Sequence, residues 1–88
     1  MNLSNNHIPI FDIYLAAYLE TKGIPPHLSM YSGRVIFEFE SSSQVYALLR
    51  KYGQNPSVLL LDYVRTLRQL RSQMIHLKRN PETRRGQS

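Results

Sequence analysis

The segment Arg34–Glu40, RVIFEFE, constrains the fold of this chain more than any other. Val35, Phe37 and Phe39 point one way and Arg34, Ile36, Glu38 and Glu40 the other, the period-two pattern of a half-buried strand. Ser32-Gly33 just before it suits a two-residue hairpin turn, so Leu28–Tyr31 is the expected partner strand. Phe37 and Phe39 then belong to the core. Everything around this hairpin has helical spacing.

Phe11, Tyr14, Leu15, Tyr18 and Leu19 recur at i, i+3, i+4, i+7 and i+8, which predicts one buried stripe on a helix from Ile13 to about Lys22. Asp12 is its expected cap. Gly23 stands where a left-handed C′ residue belongs, and Pro25-Pro26 prevent continuation. Ser41 and Gln44 form a capping-box pair ahead of a second helix reaching about Tyr52. That helix carries Val45, Leu48, Leu49 and Tyr52 on one face and stops at Gly53. Ser57 is the expected cap of a third helix running to about Arg79, with Leu60, Tyr63, Val64, Leu67, Leu70, Met74 and Leu77 inward. Residues 1–10, which include Pro9, read as a flexible lead-in, and residues 80–88 as a disordered basic tail. The expectation is one α+β domain over residues 11–79, in the order α-β-β-α-α, with a two-stranded β-hairpin packed on three helices.

The third helix is long for an 88-residue chain. Twenty-three residues rise roughly 34 Å at 1.5 Å each. Either it frays after about Ser72, or its last turns are covered by another molecule. The second alternative points to a homodimer with Met74, Ile75 and Leu77 at the interface. Ile36, on the non-core side of the strand, is a further interface candidate, because a two-stranded sheet is barely stable alone.

Charge is split along the chain. Residues 1–49 carry a net −2 and residues 50–88 a net +7. At 100° per residue, Arg65, Arg68, Ser72, His76 and Arg79 fall on one side of the third helix, opposite Tyr63, Leu67, Leu70 and Met74, with Arg71 at the margin. A basic stripe of this length can follow phosphates, and Arg50 and Lys51 could extend it. The competing reading is an ordinary solvated face that keeps a small protein dispersed.

Other chemistry finds little support. The chain has no cysteine, which removes disulfides, thiolate catalysis and thiolate zinc sites. His7, His27 and His76 lie on separate elements with no metal-ligand spacing. No nucleophile elbow or glycine-rich phosphate loop is present. No catalytic residue, cofactor or small-molecule substrate is indicated. The longest apolar run, Tyr14–Leu19, is far short of the roughly 20 residues that span a bilayer, and a cytoplasmic location is expected. GRVIFEFE superficially matches the aromatic strand of an RNA-recognition motif, but the aromatic spacing and element order differ.

Three stretches, DIYLAAYLETKG, GRVIFEFESSSQVYALLRKY and LLDYVRTLRQLRS, resemble a small bacterial family of domains of unknown function. Its members share a DLYLAA-type helix, a glycine-ended turn, an F-x-F-E strand and a late R-x-L-K/R helix. The resemblance covers Phe11 to Ser72, and Pro25-Pro26 and the segment after Ser72 depart from it. It implies the domain limits and the element order, and no activity or site. Two functions remain: a non-enzymatic nucleic-acid-binding protein, or a protein-interaction or homo-oligomeric assembly module.

Overall fold

The computed structural model describes residues 6–79. It contains β1 (His7–Ile10), α1 (Ile13–Thr21), β2 (His27–Tyr31), β3 (Arg34–Glu40), α2 (Ser43–Tyr52) and α3 (Leu60–Arg79). The class is α+β, as expected, but the sheet has three antiparallel strands in the order β1-β3-β2. The lead-in expected over residues 1–10 is therefore corrected: His7–Ile10 is a strand, in register His7↔Glu40, Ile8↔Phe39, Pro9↔Glu38 and Ile10↔Phe37. Pro9 argues against a central strand but is compatible with an edge strand, where an outward position needs no ladder donor. Residues 1–5 and 80–88, including the expected basic tail, lie outside the described residues.

β3 is central, which explains its near-continuous burial. Val35, Phe37 and Phe39 face the helices. With Ile10, Ala16, Ala17, Tyr18, Leu19 and Leu70 they form the core. Ile36 faces the other way and is still only 8% exposed. Continuing the β1–β3 register brings Phe11 beside it, and the Arg34 guanidinium lies 4.6 Å from the Phe11 ring centroid. The β2–β3 turn has Ser32 at φ 52° and Gly33 at φ 79°. Positive φ at both central positions marks the type I′ turn, whose twist suits a two-residue hairpin.

α1 starts and ends as its sequence dictates. Asp12 accepts from the Tyr14 amide at 2.9 Å. At the other end Gly23 has φ 96°, its amide donates to the Glu20 carbonyl, and the Ile24 amide donates to the Leu19 carbonyl. That pair of bonds is a Schellman motif. The buried stripe differs from the expected one: Ala16, Ala17, Tyr18 and Leu19 are buried, while Phe11 and Tyr14 are half-exposed. α1 packs against α3, α2 and β1, so contact comes from several sides, and the two alanines permit close approach.

The cap of α2 is Ser42, one residue later than expected, accepting from the Val45 amide at 3.1 Å. Ser57 does not begin α3. Its carbonyl accepts from Lys22 Nζ at 3.4 Å, and the helix starts at Leu60. α3 then runs unbroken to Arg79, which removes the alternative of fraying after Ser72. Leu70 is fully buried, and Tyr63, Leu67, Met74 and Leu77 pack against the core from the same side. Among the described residues, no helix is long and apolar enough to cross a membrane.

Candidate nucleic-acid interface

α3 is anchored along one side and exposed along the other. Its inward residues recur every three or four positions from Tyr63 to Leu77, which fixes what points outward. Arg65, Arg68 and Arg79 are exposed on that outward side. Arg65 Nη1 lies 3.6 Å from Asp62 Oδ1, with both side chains well exposed, so the pair is screened by water and neutralises the stripe weakly. Among the described residues it is the only ion pair within 4 Å.

The other expected contributors are placed differently. Arg71 sits on the flank toward α1, where its Nη2 donates to the Tyr14 hydroxyl at 3.2 Å and its guanidinium lies 5.9 Å from the Tyr14 ring centroid. The Tyr63 hydroxyl donates to the Tyr14 carbonyl at 2.9 Å, which ties the same turn of α1 to α3. Arg50 and Lys51 are exposed on the last turn of α2, where cations suit the negative end of the helix dipole. The structure thus groups Arg65, Arg68 and Arg79, sets Arg71 beside them, and leaves Arg50 and Lys51 on a separate helix.

The four apolar interface candidates do not share a surface. Met74 and Leu77 are half-buried against the core, Ile75 is half-exposed on the outward side of α3, and Ile36 lies beneath the sheet. The apolar exposure that spacing alone did not flag is Leu59, Leu60 and Leu61, at 72%, 69% and 73%. At 100° per residue, Leu61 falls within about 40° of Arg65 and in line with Arg79, so the helical arithmetic contained this signal.

Two further features complete the surface. Tyr18, Tyr52, Pro56, Val58 and Tyr63 line an open cleft of about 470 Å³ between α1, α2 and α3, with the Tyr18 and Tyr52 rings 5.5 Å apart. Burial, then nearby negative charge, raises the pKa of Tyr52 and Tyr63, so both stay protonated at neutral pH and Tyr63 remains a donor. Beneath the sheet, His7 stands opposite Glu40 and His27 opposite Glu38. Among the described residues, no group of three or more His, Asp or Glu side chains is arranged to hold a metal ion.

No curated protein and no solved structure matches the chain significantly. A family model does match, over residues 5–76, and it spans β1 as well as the hairpin and most of α3. The chain belongs to the family described as a domain of unknown function, DUF5659.

Proposed function

We propose that the protein is a non-enzymatic, cytoplasmic nucleic-acid-binding protein that contacts phosphates through the outward side of α3. The observation that carries this reading is the exposure of Arg65, Arg68 and Arg79 along one helix whose opposite side is locked into the core. A rigid helix presents these guanidiniums with little of its own backbone entropy to lose. Arg71, held on Tyr14, supports the flank, and Arg50 and Lys51 add to the general positive field. Binding of this kind is electrostatic and weakly sequence-specific, since phosphate contacts position a protein and carry no base information.

Fluorescence anisotropy with a labelled duplex and a labelled single strand, at low and physiological salt, tests the proposal. A log–log salt slope of several units is expected, and the double variant Arg65→Ala/Arg68→Ala should flatten it by about two. Absence of binding at low salt overturns the reading.

The exposed Leu59-Leu60-Leu61 ridge, with Ile75 further along α3, favours a second reading as a protein-interaction or homo-oligomeric assembly module. Isolated exposed leucines are ordinary, but three consecutive ones, each exposed by more than two thirds, form a contiguous apolar surface of the kind that marks contact sites.

A further inference from the structure

We infer that two copies of this chain pair through the outer edge of β2, extending the three-stranded sheet to a six-stranded one across a twofold axis at Ser29. The inference rests on the assembly reading, places the contact between copies at the sheet edge and not at the leucine ridge, and is independent of nucleic-acid binding.

The two edges of the sheet are unequal. In a two-residue hairpin the pair flanking the turn, here Tyr31 and Arg34, is a hydrogen-bonded pair. Such pairs alternate with non-bonded ones. Tyr31, Ser29 and His27 therefore direct their backbone groups to β3, and Leu28 and Met30 direct theirs outward. The same alternation carried across β3 turns Ile8 and Ile10 of β1 toward β3 and leaves His7 and Pro9 facing out. Pro9 has no N–H, so β1 offers a single outward donor in this stretch and is a poor template. β2 offers two donors and two acceptors. Among the described residues, no other segment hydrogen-bonds to the Leu28 or Met30 backbone.

The β2 sequence, HLSMY, is complementary to itself. An antiparallel partner centred on Ser29 sets Leu28 against Met30 of the second copy on the helix side and His27 against its Tyr31 beneath. Ser29 meets Ser29 at the axis. Each Leu28–Met30 pair is then a hydrogen-bonded pair, as the outward backbone groups require. No Lys, Arg, Asp or Glu interrupts the strand, although edge strands that must stay single commonly carry such a charge.

The distribution of charge is compatible with a second copy as the occupant. Above β2, an open groove of about 450 Å³ is lined by Leu28 together with Ser72, Gln73, His76 and Leu77 of α3. At 100° per residue the middle of this flank of α3 holds Asp62, Thr66, Gln69 and Gln73, and Arg65 stands at its margin between Ser72 and His76. Arg68, Arg71, Lys78 and Arg79 lie more than about 100° round the helix from Gln73, so a chain of net charge +5 can approach its own copy on this flank with few like charges opposed.

Sedimentation and single-cysteine crosslinking test this directly, because the chain has no cysteine of its own. The unmodified protein should sediment at twice its 10.3 kDa mass. Under mild oxidation Ser29→Cys should give a disulfide-linked dimer, since residues facing across the axis fall within the Cα range a disulfide allows. Tyr31→Cys should not, because its twin would stand roughly 13 Å away along the strands. In the unmodified protein, hydrogen exchange of the Leu28 and Met30 amides should slow at least about tenfold between dilute and concentrated samples, with the His7 amide unchanged. That measurement stands even if a variant misfolds. A dimer whose Ser29→Cys variant links no faster than Tyr31→Cys, with no concentration-dependent protection at Leu28 and Met30, overturns the β2 assignment and leaves assembly to another face. A monomer up to about 100 µM overturns both.

Discussion

The two faces of β3 are buried to a similar degree by different means. On the helix side Val35, Phe37 and Phe39 lie under α1 and α3, whose backbones are fixed by their own hydrogen bonds and by one another. On the other side Ile36 is covered by side chains, with Phe11 beside it and Arg34 lying over that ring. Fractional exposure alone would rank the two as near equals. They differ in what can move when an atom is removed. A packed layer of helices closes a void poorly, whereas a ring and a guanidinium can shift into one at little cost.

Truncations on the two faces should separate these cases. Phe37→Ala should destabilise the fold by about 3–5 kcal/mol, read as a shift in urea midpoint at constant m-value. Ile36→Ala should cost about 2 kcal/mol, at the low end for a buried aliphatic, because its cover collapses onto the gap. Equal costs at the two positions would show that the outer face is held as rigidly as the inner one. The smallest effect probes a defect in the helix layer. Glu20 Oε1 is buried with no hydrogen-bond partner among the described residues, and burial raises the pKa of this carboxyl above its ordinary 4.5. A raised carboxyl pKa favours the fold below the unfolded value, and that contribution is lost as pH rises through the folded one. Glu20→Gln should therefore unfold at a slightly higher temperature than the parent at pH 7, with the difference vanishing near pH 4.

The parts of the fold legible in the sequence were those specified locally. Asp12, Gly23 and the Ser32-Gly33 turn each act within four residues, and the structure places all three in their expected roles. The RVIFEFE alternation likewise identified β3 and its inward phenylalanines. What escaped depends on distant partners. β1 is four residues long, contains Pro9, and becomes a strand only through β3, some thirty positions away. Ser41, Ser42 and Ser43 are equivalent as caps until packing of Val45 selects the register, and Ser57 is drawn off to Lys22. Tyr14 sits on the helical stripe of α1 yet is held at the surface by Tyr63 and Arg71. For the candidate site, the shared direction of Arg65, Arg68 and Arg79 followed from helix geometry. The division between Arg71 and the others required knowing where α1 lies, and Leu60, inward by spacing, is exposed at the first turn of α3.

The strand order β1-β3-β2 also sets a timetable for synthesis. The chain emerges from the ribosome with β1 first, and its partner β3 is complete only after Glu40. At about 5–20 residues per second, roughly thirty residues take about two to six seconds. The β2–β3 hairpin, once out, closes in about 1–10 µs. The earliest strand therefore waits, with Ile8 and Ile10 uncovered, for a template made later and already half-occupied by β2. Its docking completes the sheet rather than seeding it. Slower translation through α1 and β2 would lengthen this wait, so the N-terminal end, made first, is the part whose maturation is most sensitive to elongation speed.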